Sequence, residues 1–344
     1  AALRDKHPAR LALPSGTNES APLPQQARAL IVVPGTSPEH FRIPVEAAQF
    51  LHSKLPDSSA IIDYSTLFSY ALDNGLHNQY VVECLYGTEA IEWDEPIWRG
   101  AMDALGLRRV GSPIITCALA IDKLIQKRLF DALEVPTASW SLCSATSEAL
   151  RLGWPMIVKP RRESQSKGVA LLHDAREWEQ FLKIVPVAEL DCWLAESYLP
   201  GREFCVGVCS LSESQHEVLP ILEIPHDAGH SINDPEDKAQ RRGVVSFPEE
   251  LPARLKSALE TETLKVHRAF GSPPLARAEW RLDADGIPHI FEYDCTPGLT
   301  RSSYLTSMFE KTGRSVSDVL ADLARSPQFR ACRPAHASDS QPAA

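Results

Sequence analysis

The densest chemistry in the chain lies in Leu275–Asp294, LARAEWRLDADGIPHIFEYD. Asp285-Gly286 is the preferred pair for a two-residue type I′ turn. Counting outward from that turn sets Ala284 against Ile287, Glu279 against Glu292 and Arg277 against Asp294. Residues two apart share a face of a strand, so Arg277, Glu279, Glu292 and Asp294 are expected together. Trp280, Leu282, Phe291 and Tyr293 then fill the opposite face, which weakens the alternative of a merely solvated, mixed-charge surface. Two glutamates placed directly opposite repel each other. A hard divalent cation removes that penalty, and Mg²⁺ held by carboxylates keeps positions open for phosphate oxygens. Beyond the hairpin, the loop from Cys295 through Pro297-Gly298 to Ser303 offers backbone N–H groups and hydroxyls as an anion cradle. An ordinary surface turn would look similar.

Two lysines are candidates for meeting an anion. Lys159 ends the apolar run of WPMIVKPRRESQSKG, and an ammonium at the end of a buried strand is costly unless paired. The loop after it lacks the GxxxxGK[ST] pattern of a phosphate-binding P-loop. Lys123 flanks the apolar stripe of ALAIDKLIQKRLF and, taken alone, reads as a surface lysine. Glu196 and Glu203 bracket the Pro-Gly turn of LAESYLPGREF.

The elements that must position these groups follow from periodicity. Strands at Ala27–Val33, Ser59–Ile62, Tyr80–Leu85 and Arg109–Ser112 alternate with helices at Pro44–Leu55 and Ile97–Leu105, which predicts a parallel sheet with helices on its faces. One helix is expected over Ile115–Leu133, then strands at Ser139–Leu142, Pro155–Lys159, Gly168–Leu172 and Cys192–Ser197, with a helix at Ala175–Lys183. REFCVGVCSL alternates as a strand should, VLPILEI follows it, and helices are expected at Pro252–Phe270 and Ser315–Ala324. The resulting organisation is an N-terminal α/β lobe over 28–111, a central lobe over 112–196 and a C-terminal lobe over 197–326. Residues 1–27 and 327–344, rich in Pro, Ser and small residues, are expected to be disordered.

Composition narrows the partners. The net charge of −10 over 344 residues argues against nucleic acid or an anionic membrane, and no apolar run approaches a membrane-spanning length. Eight cysteines without CxxC pairs read as buried, reduced thiols of a cytoplasmic protein. Eleven histidines without HExxH spacing give no zinc site.

The motifs GSPIITCALAIDKLIQK, WPMIVKPRRESQSKG, LAESYLPGREFCVGV and RAEWRLDADGIPHIFEYDCTPGLTRSSYL resemble, in this order, those of D-alanine–D-alanine ligases. The likeness extends over about residues 29–325 and implies the ATP-grasp fold: an α/β lobe plus two lobes clamping ATP between antiparallel sheets. It also implies ATP, with Mg²⁺ or Mn²⁺, and small-molecule carboxylate and amine substrates, commonly in a homodimer. By position, Lys123 and Lys159 resemble the phosphate-binding lysines, Glu196 part of the adenine pocket and Glu203 the ribose-hydroxyl acceptor. Lys238 matches a lysine of a mobile loop, and Ser166 a loop serine beside the nucleotide. Glu279, Glu292 and Asp294 match the metal ligands, where the family usually has Asp first and Asn third; both replacements keep an oxygen ligand. Arg277 and the Gly298 amide match the groups that stabilise the tetrahedral intermediate, and Glu39 the acid that holds the first ammonium. Ser303 resembles a hydroxyl near the second carboxylate.

Departures cluster where the amino acids would lie. Gln165-Ser166 stands for paired serines, Tyr86 for a histidine and Ala239 for a tyrosine, while Arg301 and Tyr304 add charge and bulk near the second pocket. Altered hydrogen-bonding partners change substrate choice. The expectation is therefore an ADP-forming carboxylate–amine ligase for a specialised amino-acid or peptide product. A true D-alanine–D-alanine ligase is one alternative, and a non-catalytic nucleotide-binding module is another.

Overall fold

A computed structural model describes residues 28–34, 38–55, 59–74, 79–84, 95–164, 166–212, 214–225 and 245–326. The terminal segments expected to be disordered lie outside the described residues.

The first sheet contains β1 (Ala29–Val33), β2 (Ser59–Asp63), β3 (Tyr80–Glu83) and β4 (Arg109–Val110), in the order β2-β1-β3-β4. All its pairings are parallel, as the alternation of strand and helix requires. Every residue of β1 is buried, the signature of a strand covered on both faces. Helix α1 (Pro38–Lys54) begins earlier than the expected start at Pro44 and runs through that residue. Helix α2 (Tyr64–Asn74) was not anticipated; Asp63 opens it by accepting bonds from the Thr66 N–H and hydroxyl. Helix α3 (Glu95–Ala104) carries Arg99, fully enclosed between Glu83 at 2.7 Å and Glu95 at 3.0 Å.

The expected single helix over Ile115–Leu133 is in fact two, α4 (Ile114–Ala120) and α5 (Lys123–Ala132). Asp122 breaks the run: its backbone is extended, and its carboxylate caps the second helix through Leu124 N–H. The break sets Lys123 at the head of α5. The second sheet, β5-β8-β6-β7, is wholly antiparallel and contains β5 (Trp140–Leu142), β6 (Met156–Pro160), β7 (Ala170–Leu172) and β8 (Trp193–Ser197). A short helix α6 (Thr146–Leu150) and the longer α7 (Ala175–Ile184) accompany it.

The third sheet is antiparallel and centres on β9 (Glu203–Ser210) and β12 (Leu275–Leu282). Strand β13 (Pro288–Asp294) pairs with β12. The stretch VLPILEI forms two strands, β10 (His216–Val218) and β11 (Leu222–Ile224), separated at Pro220 and both paired with β9. Helix α8 (Ala253–Ala269) packs on one face of this sheet, where Phe204, Val206, Trp280 and Tyr293 form its core. Helix α9 (Tyr304–Lys311), also unanticipated, approaches the other face at Gly207. A Cβ there would lie 2.6 Å from Leu305 Cδ2 and 2.7 Å from Met308 Sδ, so only glycine lets α9 sit so close. Helix α10 (Val316–Arg325) closes the described chain and packs into a core shared with the first sheet.

The hairpin register at the acidic end is as counted: Arg277 pairs with Asp294 and Glu279 with Glu292. The turn, however, is one residue longer than expected. Asp283 N–H donates to Ile287 O, Gly286 N–H to Asp283 O, and Gly286 has φ of +78°. The Asp283 carboxylate also accepts from Asp285 and Ile287 N–H, which holds the longer loop. A bulge in β13 opposite Glu279/Trp280 absorbs the extra residue and restores the register beyond it. It also turns Phe291 to the cleft side, correcting its expected place on the core face.

Of the seven described cysteines all are free and six are buried; Cys192 is exposed, contrary to expectation. No helix among the described residues is long and apolar enough to cross a membrane.

Beneath the hairpin, Ser210 Oγ lies 2.7 Å from His267 Nε2, and His267 Nδ1 lies 2.9 Å from the Tyr293 hydroxyl. Burial pushes the His267 imidazole down to about 3, with His216 and Arg268 adding to the shift. Between that value and an unfolded value of roughly 6.5, the unfolded chain holds a proton that the folded chain excludes. The contribution is complete above the unfolded value and is lost as pH falls toward the folded one, on the order of 3–5 kcal/mol in all. His267→Gln should therefore lose less stability than the wild type on acidification, read as urea midpoints at about pH 7 and pH 4. Equal losses in the two proteins would contradict this.

Candidate active site

A cleft of about 840 Å³, open at its mouth, separates the second sheet from the carboxylate-bearing face of the third. On β6, Met156 and Val158 point into the core, while Ile157 and Lys159 line the cleft, the period of two expected of a strand. Lys123 enters from the head of α5, and Glu163, Ser164, Ser166 and Lys167 from the loop joining β6 to β7. Glu196 and Glu203 come from the facing ends of β8 and β9, and Glu279, Phe291 and Glu292 from the hairpin. Seven residues singled out in the sequence thus share one cavity: Lys123, Lys159, Ser166, Glu196, Glu203, Glu279 and Glu292.

The loop is tied to α5 by Asp122. Its carboxylate accepts from Arg161 at 2.7 Å and Arg162 at 2.9 Å, and Lys123 N–H donates to Arg161 O. Burial would raise the Asp122 carboxyl, but the arginines and the Leu124 N–H outweigh it and hold the group below the usual carboxylate range. Ser166 adopts φ of +61°, an uncommon conformation for a non-glycine residue. Two residues on, Gly168 has φ of +71°, and a Cβ there would lie 2.8 Å from Pro160 Cγ. Lys123 Nζ donates to Glu163 O and lies 3.4 Å from Glu292 Oε1.

At the floor of the cleft, Glu196 is shared by two lysines. Oε1 lies 2.7 Å from Lys159 Nζ and Oε2 lies 3.2 Å from Lys127 Nζ. Burial pushes the Glu196 carboxyl up, but the two ammonium groups outweigh it and hold the value below the ordinary range. Lys127 was not singled out in the sequence. Its only signal was its place four residues after Lys123, on the same helix face. Arg281 was missed as well: it lines the cleft, rests on the Tyr198 ring and lies 3.9 Å from Glu203.

Arg277 lies along the same face, beyond Glu279. Its Nη1 is 2.9 Å from Glu279 Oε1, its Nε 3.0 Å from Asp294 Oδ2, and its Cζ 5.1 Å from the centre of the Tyr304 ring. Asp294 also accepts from Thr296 N–H, which fixes the start of the following loop. Gly298 is half-buried in that loop. Ser303 caps α9 by accepting from Thr306 N–H, and the exposed Arg301 faces the Phe50 ring at 6.0 Å. None of these residues lines the cleft. Lys238, Gln165 and the Glu39 side chain lie outside the described residues, as do Tyr86 and Ala239.

The carboxylates suit a hard divalent ion. Among the described residues no three acidic, His or Cys side chains form a ready metal cage. Mg²⁺ does not ask for one, since it is commonly held by one or two carboxylates and completed by substrate phosphates. Glu279 and Glu292, opposed across the ladder beside the cleft, supply that donor set.

Comparison with known proteins accords with this arrangement. A D-alanine–D-alanine ligase from Synechococcus sp. (strain JA-2-3B'a(2-13)) is 30% identical over 220 residues, covering 61% of this chain and 65% of the relative. D-alanine–D-alanine ligase A of Bacillus cereus is 29% identical over 227 residues, covering 64% of this chain and 72% of the relative. The chain thus spans just under two thirds of the length of the Synechococcus relative. The solved D-alanine–D-alanine ligase from Bacillus anthracis complexed with ATP superposes with a TM-score of 0.70 at 22% identity, covering 87% of this chain and 97% of that one. D-alanyl-alanine synthetase A from Vibrio cholerae gives 0.69 at 18% identity with the same coverage. Residues 130–325, more than half of the chain, match the family described as D-ala D-ala ligase C-terminus, and the chain belongs to that family.

Proposed function

We propose that the chain is an ATP-dependent, ADP-forming ligase that joins a carboxylate to an amine through an acyl phosphate. The observation that carries this reading is the convergence of cations and carboxylates on one cleft. Lys123 and Lys159 line it together with the opposed Glu279 and Glu292, and Lys123 Nζ lies 3.4 Å from Glu292 Oε1. A polyphosphate carrying Mg²⁺ would satisfy the lysines and the carboxylates at once. Mg²⁺ held by Glu279 and Glu292, with Asp294 beside them, would neutralise charge on the phosphate oxygens.

The protein's own groups then have distinct tasks. Lys123 and Lys159 bind and orient the phosphates, and Glu203, buried in the cleft lining, accepts from a ribose hydroxyl. Arg277, locked by Glu279, Asp294 and the Tyr304 ring, presents a fixed guanidinium to the oxyanion formed when an amine attacks the acyl carbon. We assign the Gly298 amide, in the loop after Asp294, to the same oxyanion. Lys238 would close over the phosphates and limit hydrolysis of the mixed anhydride.

The substrates we assign are amino acids, joined in a specialised product. Support comes from Tyr304, whose ring lies against Arg277, from the exposed cation of Arg301, and from the replacements at Tyr86, Gln165 and Ala239. D-alanine–D-alanine synthesis itself is the second reading, favoured by the names of the relatives.

Release of ADP over a matrix of D- and L-amino acids, with products identified by mass spectrometry, tests the assignment. A dipeptide or amide product is expected from at least one pair. Release only with a carboxylate that is not an amino acid would remove the amino-acid reading. Glu292→Gln should lower turnover at least about a hundredfold, because one of the two opposed metal-holding charges is gone. Its circular dichroism and thermal midpoint should stay close to the wild type. Near-normal turnover in that variant would show that the hairpin does not hold the metal.

A further inference from the structure

Lys127 does not line the cleft, yet it is 1% exposed and bonded to two partners beneath it. Its Nζ lies 3.2 Å from Glu196 Oε2 and donates to Thr137 Oγ1 at 2.8 Å. The Thr137 hydroxyl donates in turn to Ile290 O at 2.6 Å, next to the bulge that carries Phe291. Lys159 Nζ takes the other Glu196 oxygen and reaches Phe291 O at 3.4 Å. The cluster therefore joins α5, the second sheet and the hairpin at one point.

We propose that Lys127 is a positioning residue for nucleotide binding, acting through Glu196 to release the Lys159 ammonium to a phosphate group. This rests on reading the cleft as a nucleotide site. Two ammonium groups sharing one carboxylate leave one positive charge in excess. Only Lys159 of the pair lines the cleft, so only Lys159 can carry that excess to a ligand. As Lys159 turns toward phosphate, Glu196 would be left as a buried, uncompensated charge, a severe penalty. Lys127 prevents this by staying bound to the same carboxylate.

The charged groups facing Lys127 are Glu196 from β8, Lys159 from β6 and Asp131 from its own helix. Burial pushes the Lys127 ammonium down to about 8; Lys159 pushes the same way, and Glu196 and Asp131 push against it. Below that value the ammonium is charged and Glu196 is compensated without Lys159. Above it Lys127 is neutral, Glu196 retains Lys159, and affinity for phosphate falls.

Titration calorimetry with ADP and with adenosine, both with Mg²⁺ present, on the wild type, Lys127→Met and Lys127→Arg from about pH 7 to 9.5 tests this. Lys127→Met should bind ADP at least about tenfold more weakly at neutral pH, the scale of one lost charge-assisted bond, with adenosine changed less than about twofold. Wild-type ADP affinity should fall as pH rises through about 8. Lys127→Arg, whose guanidinium stays charged, should hold its affinity across that range. The proposal is overturned if Lys127→Met binds ADP as the wild type does, or loses ADP and adenosine equally. It is also overturned if the alkaline fall is unchanged in Lys127→Arg, a comparison that decides the matter alone should Lys127→Met not fold. A wild type that binds neither ligand overturns the nucleotide reading itself, a failure distinguished by appearing before any substitution.

Discussion

Two like charges, Glu279 and Glu292, face each other across one rung of a β-ladder, and much of the surrounding structure answers that repulsion. Arg277 takes one oxygen of Glu279, and Lys123 stands 3.4 Å from Glu292. Neither cation reaches these places by chance of local sequence. Arg277 is held by its strand register and by Asp294, while Lys123 depends on the break at Asp122 that starts α5 there. The ladder itself is fixed by its other face, where Trp280 and Tyr293 are buried against α8 and the Trp280 indole donates to Thr263. A slip of one residue would exchange those aromatics with the carboxylates, so the core protects the site.

Asp122 and Glu196 play matching parts beside the cleft. Each is a carboxylate shared by two cations, and each fastens one element to another. Asp122 binds the Arg161–Arg162 loop to the head of α5, and Glu196 binds Lys159 and Lys127 to the strand beneath. The lysines that face the cleft are thereby set before any ligand arrives, which lowers the ordering cost of binding. Such preorganisation is what electrostatic catalysis on a phosphoryl group requires.

Much of this was legible from residue order alone. The acidic register followed from Asp285-Gly286, although for an incomplete reason: the loop holds three residues and a bulge at Phe291 compensates. Counting cannot foresee a bulge, because it depends on how Asp283 bonds within the turn and how β13 packs. The parallel sheet was readable from the alternation of strand and helix, and the antiparallel sheets only from the resemblance carried by the motifs. The helix break at Asp122 was not, since Ala, Leu, Ile and Lys on both sides favour continuation and only the arginines, some forty residues later, reward the break. Lys127 was hidden for a similar reason: four residues after Lys123 it looks like another surface lysine, and its partners lie on other elements. Helix α9 was missed because its tolerance of close approach resides in Gly207, far away in sequence.

The central claim is that this cleft transfers the terminal phosphoryl group of ATP to a carboxylate. The most direct measurement uses amino acids labelled with ¹⁸O in the carboxyl group, incubated with ATP and an amine acceptor, with the released phosphate analysed by mass spectrometry. Acyl-phosphate chemistry predicts one labelled oxygen in inorganic phosphate for each ADP formed. Label appearing instead in AMP, with release of pyrophosphate, would contradict the account.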